Sequence, residues 1–174
     1  MDEDQHWIEL FLEGNLDAFE RLVLKYRRSA IVFGQHFVKD FHTAEDIAQE
    51  SFAEFYVYRA RFNSNYKFKT YLFTIIRNKC VDYLRKHSKV QYEEAELMSR
   101  QTTEEEVLQR EKKVFLYETM KQLKTDYRTA VYLIDIEQFS YKEASAIMRK
   151  STVQMKILIY RARKKMKLLL EQEG

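Results

Sequence analysis

Proline is absent from these 174 residues, and glycine occurs only at Gly14, Gly34 and Gly174. Without the residues that make tight hairpin turns, a sheet of β-hairpins lacks its connections, and the fold class left is all-α. Cysteine is nearly absent as well. Cys80 stands alone, so no internal disulfide can form, and His6, His36, His42 and His87 lack the spacing of a zinc site. No cofactor is implied. No run approaches the roughly 18 apolar residues that span a membrane, and the amino-terminal "MDEDQHW" is acidic where a secretory leader is basic. The expectation is a cytoplasmic protein without membrane insertion. A nucleophile beside a base, a metal cluster and a phosphate-cradling glycine loop are also missing, which argues against an enzyme.

What is present is a 45% apolar chain, enough for one ordinary core or two small ones. The net charge of +3 is unremarkable, but its distribution is uneven. Residues 1–89 carry 14 Lys/Arg against 13 Asp/Glu, residues 90–111 carry 2 against 7, and residues 112–174 carry 14 against 7. An acidic bridge thus separates a near-neutral block from a basic one.

Phe19, Leu22, Val23, Tyr26, Ala30, Phe33 and Phe37 recur at helical spacing, which predicts a core helix over 16–37. Thr43 is placed to cap a second helix, with Asp46 at its third position complementing the positive helix end. After the polar "NSNYK", the segment "TYLFTIIRNKCVDYLRKH" predicts a third helix offering Leu72, Ile75, Ile76, Val81 and Leu84 to the core. Residues 1–88 form the expected first domain, and 89–108 a flexible acidic linker. Helical period resumes at Val107, Phe115, Met120 and Leu123, so 109–174 form the second domain. Within it, Ser140 with Glu143 and Ser151 with Gln154 have the spacing of two capping boxes. Helix starts eleven residues apart leave room for a short helix, a turn near Arg149 and Lys150, and a longer helix: a helix-turn-helix.

On the wheel of that last helix Met155, Ile159, Ala162, Met166 and Leu169 form an inward stripe, while Lys156, Tyr160, Arg163 and Lys167 form a second one widened by Arg161, Lys164 and Lys165. From Arg149 to Lys167 there are eight basic residues and no acidic one. A merely solvated face usually mixes signs, because opposite charges three or four residues apart stabilise a helix by about 0.2–0.5 kcal/mol per pair. In a helix-turn-helix the start of the second helix enters the major groove, which puts Thr152, Gln154 and Lys156 against base edges or phosphates. Val153 and Ile157 lie away from the inward row, either packed on the preceding helix or against a thymine methyl.

The first domain has a different chemistry. From Arg61 to Lys89, cations interleave with Phe62, Tyr66, Phe68, Tyr71, Phe73 and Tyr83. Single-stranded nucleic acid needs that mixture, since cations follow phosphates and exposed rings stack on unpaired bases for about 1–3 kcal/mol each. Aromatics at helical spacing are more often core, so Tyr71, Phe73 and Tyr83 are expected inside and the polar loop outside.

With these blocks in place, the chain resembles the bacterial sigma-70-type RNA polymerase sigma factors of the extracytoplasmic-function group over about residues 15–170. "DAFERLVLKYRRSA" resembles the first helix of their amino-terminal domain, "TAEDIAQESFAEFY" the core-binding helix, and "FKTYLFTIIRNKCVDYLRKHSK" the promoter-melting and -10-reading segments. "LKTDYRTAVYLIDIEQFSYKEASAIMRKSTVQMKILIYRARKKM" is similar to the -35-reading domain. The resemblance implies two small helical domains, the second a four-helix, winged-helix-like helix-turn-helix, and a linker in the polymerase RNA exit path. It implies that Asp46, Gln49, Glu50 and Phe52 dock on the clamp helices of the largest polymerase subunit, with further contact to the flap. It implies that Asn63, Ser64, Asn65, Tyr66, Lys67, Phe68 and Lys69, with Arg77, engage the -10 element. Thr152, Gln154, Lys156, Tyr160, Arg161 and Arg163 would read the -35 element. Promoter DNA, core RNA polymerase and an anti-sigma protein are the implied partners.

Departures from the family pattern are informative. Thr74 and Ile75 stand where housekeeping sigma factors carry a tryptophan wedge, which implies weaker intrinsic melting. Arg149 and Lys150 stand at a turn where glycine is common, and a left-handed residue there costs about 1–2 kcal/mol. Ile157 and Leu158 replace Ser and Arg. The alternative from a different class, a helix-turn-helix regulator gripping an operator without polymerase, leaves the aromatic and basic loop of the first domain unexplained.

Overall fold

The structure, a computed structural model, describes residues 2–87 and 104–173, with side chains over 2–87 and 110–172. It divides into two compact units, Met1–Ala95 and Glu96–Gly174. Among the described residues all regular structure is helical. The linker expected over 89–108 lies outside the described residues as far as 103, and its last residues, from Glu104, belong to a helix.

The first unit contains α1 (Glu3–Leu12), α2 (Leu16–Val38), α3 (Phe41–Val57), a single 3-10 turn at Arg59–Arg61, and α4 (Phe68–Lys86). Sequence patterning anticipates α2 and α4 closely but misses α1. That helix is anchored by Ile8 and Phe11 and by the buried carboxylate of Asp4, which accepts hydrogen bonds from Lys25 Nζ at 2.6 Å and from the Tyr26 hydroxyl. A buried carboxylate is tolerated because both donors sit on one turn of α2. Gly14, at φ 104°, reverses the chain, and the Asn15 side chain caps α2.

The start of α3 corrects one expectation. The cap is Asp40, not Thr43: its carboxylate accepts from the Thr43 amide at 3.1 Å and from the Thr43 hydroxyl at 2.7 Å. Those bonds hold the Asp40 carboxyl below its usual value, the hydroxyl contributing most. The helix therefore begins at Phe41, and Asp46 lies past its first turn, beyond the reach of the helix-end charge.

The core of this unit is aromatic. Phe55, fully buried, has its ring centroid 4.8 Å from Phe68, 5.4 Å from Phe11, 5.6 Å from Phe62 and 5.9 Å from Tyr71. Farther along, Phe33 and Phe73 stack at 4.7 Å. Each such pair adds about 0.5–1.5 kcal/mol beyond area burial. Where α2 meets α3, Gly34 lets the backbones approach, since a Cβ there would sit 3.3 Å from the Ala44 Cβ. On α4 the buried row is Phe68, Leu72, Phe73, Ile76 and Cys80; Ile75, Val81 and Leu84, expected in the core, are only half-buried. Burial pushes the Cys80 thiol up to about 12, so it packs as a small apolar group.

The second unit contains α5 (Glu104–Lys121), α6 (Thr125–Val131) running into a π turn (Tyr132–Ile136), α7 (Tyr141–Met148) and α8 (Thr152–Glu173). Met120, Leu123, Leu133, Ile147, Met155, Ile159 and Ala162 fill its core, whereas Phe115, on the same helical period as Met120 and Leu123, is 45% exposed. Both capping boxes form. Ser140 and Glu143 exchange bonds of 3.1 and 2.9 Å, as do Ser151 and Gln154.

Between α7 and α8 the chain turns on Arg149, which takes the left-handed conformation at φ 54°, ψ 45°, while the Lys150 amide donates to Ser145 O at 2.9 Å. An arginine in that conformation is strained. Arg149→Gly is therefore expected to stabilise this unit by about 1 kcal/mol, the relief of left-handed strain exceeding the extra unfolded-state entropy of glycine. Urea unfolding would show a raised midpoint at unchanged slope.

Candidate functional site

Three surfaces bring the expected residues together. The first is a groove of about 680 Å³ on the α2–α3 face, with Val23, Leu24, Ala48 and Phe52 among its lining residues. Leu24 is 71% exposed and Val57, at the groove's end, 67%. Of the four expected docking residues, Asp46, Gln49 and Glu50 are exposed on the outer side of α3, whereas Phe52 is only 5% exposed. Phe52 is thus a structural residue that shapes the groove wall, and the exposed apolar contribution comes from Leu24 and Val57, which periodicity alone assigns to no site. Arg27 and Glu45 pair at 3.3 Å beside the groove. An apolar trough edged by Glu20, Gln49 and the Arg27–Glu45 pair has the form that accepts an amphipathic helix.

The second surface is the loop from Asn63 to Lys67. All five residues are exposed, Tyr66 at 65%. The loop is short and organised: the Asn65 amide donates to Asn63 Oδ1 at 3.0 Å, and the Tyr66 amide donates to Asn63 O at 3.1 Å. Its two ends are pinned by Phe62 and Phe68, both buried in the aromatic core. Phe68, expected among the DNA-facing residues, is therefore corrected to a core anchor at 1% exposure. Lys69 is half-buried in the first turn of α4 with Nζ 5.8 Å from the Phe73 ring, and Arg77 is half-buried farther along that helix. Next to the loop, the Arg61 guanidinium lies 4.8 Å from the ring centre of the exposed Tyr58. The arrangement presents one ring and several cations on a braced backbone, the chemistry that holds unpaired bases. Of the two positions where the resemblance implies a wedge, Thr74 donates its hydroxyl to Thr70 O at 2.7 Å and, with Ile75, is half-buried; neither offers a flat ring to insert into a duplex.

The third surface is the outer side of α8. The inward stripe is buried as its spacing predicts, and Thr152, Gln154, Lys156, Tyr160, Arg161 and Arg163 are all exposed. Two of these six have prior engagements. Gln154 Oε1 accepts from the Ser151 amide, which ties the carboxamide to the helix start. Arg163 makes a bidentate pair with Asp135 at 2.6 and 3.1 Å, across 28 residues of sequence. Asp135 holds the guanidinium in the fork geometry that a phosphate would use. Thr152, Lys156, Tyr160 and Arg161 remain as the outward polar set, and Val153 and Ile157 are exposed beside them.

Comparisons with known proteins agree on one family. The model of sigma-70 region 2 matches residues 22–90 and that of sigma-70 region 4 matches residues 114–166. An ECF RNA polymerase sigma factor of Bacillus subtilis, SigM, is 33% identical over 155 residues, covering 87% of this chain and 94% of its own. The RNA polymerase sigma-H factor of Pseudomonas aeruginosa is 30% identical over 175 residues, covering 93% of this chain and 91% of its own. Among solved structures, the sigma factor RpoE of Bartonella quintana, in complex with the anti-sigma factor NepR, shares the fold at a TM-score of 0.71 and 24% identity, covering 88% of this chain and 96% of its own. CnrH, solved with the cytosolic domain of CnrY, matches at 0.73 and 24%, covering 99% of this chain and 100% of its own. No helix among the described residues is long and apolar enough to cross a membrane.

Proposed function

This chain belongs to the extracytoplasmic-function group of sigma-70-type RNA polymerase sigma factors, and on that premise we propose how its surfaces divide the work of starting transcription. The α2–α3 groove, together with Asp46, Gln49 and Glu50 exposed on α3, docks on the clamp helices of the largest subunit of core RNA polymerase. The loop Asn63–Lys67 captures the opened strand at the -10 element, and the outer side of α8 reads the intact duplex at the -35 element. The chain acts in the cytoplasm and makes or breaks no bond itself; nucleotide joining belongs to the polymerase it directs.

The observation that carries this reading is the loop. A regulator that only grips duplex DNA needs no exposed tyrosine and lysine braced between two buried phenylalanines, whereas capturing a flipped base requires a rigid pocket to offset unstacking. The wedge positions fit the same division. With Thr74 and Ile75 there, opening leans on capture of the strand once it separates, and so on the match between loop and promoter. An anti-sigma protein completes the set of partners, and the exposed apolar residues of the groove and of α8 are surfaces for which it would compete with polymerase and promoter.

The direct test is runoff transcription: purified chain, core polymerase and a promoter library. Discrete transcripts that vanish without the chain are the expected result. Binding to duplex DNA without any RNA would instead mark a free helix-turn-helix regulator.

A further inference from the structure

On α8, the side turned away from the core carries two apolar residues among its cations. At about 3.6 residues per turn, Val153 and Ile157 lie opposite Met155 and Ile159, which are 0% and 2% exposed. Val153 is 67% exposed and Ile157 47%, so both keep apolar surface open to a partner. Two β-branched apolar side chains thus stand one turn apart at the tip of a helix that has eight basic residues and no acidic one between Arg149 and Lys167. That charge selects the occupant: an exposed apolar pair framed by Lys156 and Arg161 suits a polyanion with an apolar spot, not a neutral protein face.

The polar groups nearby narrow what can be read there. The usual hydrogen-bonded readout of adenine needs a glutamine amide free to turn both ends to the base, and the Gln154 amide is oriented toward the helix start by its 2.9 Å bond from the Ser151 amide. The Arg163 fork is filled by Asp135. Of the features a base pair displays in the major groove, the thymine 5-methyl is the one that an apolar side chain recognises.

We infer that Val153 and Ile157 make this chain a reader of thymine methyl groups, so that its -35 element is specified at these positions by apolar contact in place of hydrogen bonds. The inference rests on the -35 role proposed above for α8. It names the ligand chemistry as one or two thymines, on either strand, beneath the start of the helix.

Deoxyuridine removes that methyl and leaves every pairing edge intact. A promoter selected by the reconstituted holoenzyme is remade with each thymine of its -35 element replaced singly by deoxyuridine, and holoenzyme binding is measured by competition. At least one replacement is expected to weaken binding about fourfold, the worth of one methyl group leaving water. The Val153→Ser, Ile157→Ser double variant, altered only at exposed positions, is expected to keep its thermal unfolding and to lose the distinction between thymine and deoxyuridine. Indifference of the parent holoenzyme to every deoxyuridine, or a preference for thymine that survives in the variant, would overturn the inference. A holoenzyme that starts no transcript at all would instead sink the function proposed above, and the runoff assay separates the two failures.

Discussion

Replacing Glu50 with arginine is expected to lower the affinity of the full chain for core RNA polymerase about a hundredfold while leaving its unfolding transition in place. Glu50 is exposed on α3, and substitutions at exposed positions change stability by about 0.5 kcal/mol or less. Against a basic partner surface, as the proposed docking through carboxylates requires, the same change sets like charges against each other, which costs several kcal/mol, and a factor of ten corresponds to about 1.4 kcal/mol. Phe52→Ala makes the useful contrast. Because Phe52 is 5% exposed, its truncation is expected to weaken both the fold and the docking, so only the surface carboxylate isolates the interaction. Native-gel or fluorescence titration against core polymerase, paired with thermal unfolding, checks both halves. A Glu50→Arg chain that binds core polymerase normally would remove α3 from the docking surface.

Two aromatic residues two positions apart are expected to behave oppositely. Phe68→Ala empties a site that touches Tyr26, Phe55 and Phe62, and a buried phenylalanine truncated to alanine costs about 3–5 kcal/mol. That is enough to unfold much of a small helical unit whose total stability is of order 5–15 kcal/mol. Tyr66→Ala removes a ring that is 65% exposed and so leaves unfolding unchanged. If that ring stacks on an unpaired base, its loss removes about 1–3 kcal/mol from the opened complex, a reduction of roughly 5- to 150-fold in stable promoter opening. Thermal unfolding and permanganate reactivity of opened thymines distinguish the two effects. Equal loss of stability in both variants would mean that the loop is structural.

What could be read in advance follows the range of each interaction. The two capping boxes and the inward stripe of α8 depend on residues three or four apart, so spacing alone locates them. The tight turn near Arg149 and Lys150 is legible for the same reason, since the short reach from one helix start to the next forces a reversal, whereas its left-handed residue is what the family resemblance implies. Other features depend on partners distant in sequence. Phe68 and Tyr66 look alike in an aromatic and basic run, and only the packing of Phe55 against Phe68 separates anchor from exposed ring. The engagement of Arg163 with Asp135 spans 28 residues and leaves no local trace. At the start of α3, two residue types that both cap helices stand three positions apart, Asp40 and Thr43, and the carboxylate takes the role because the Thr43 hydroxyl and amide both donate to it. The first helix went unseen because its buried face is short, Ile8 and Phe11 behind an acidic lead, and its anchor is the contact from Asp4 to Lys25, 21 residues away. Exposure of Leu24 and Val57 likewise depends on which side of a two-helix face stays open, a property of the assembled unit.

The measurement that bears most directly on this division of labour is photocrosslinking from two positions in one complex. A photoreactive residue is placed at Tyr66 or at Lys156 of the full chain, and each protein is assembled with core polymerase on a promoter it has been shown to open. The account predicts that position 66 labels the non-template strand inside the melted -10 region and that position 156 labels double-stranded DNA upstream, at the -35 element. Labelling of a single duplex segment from both positions would contradict it.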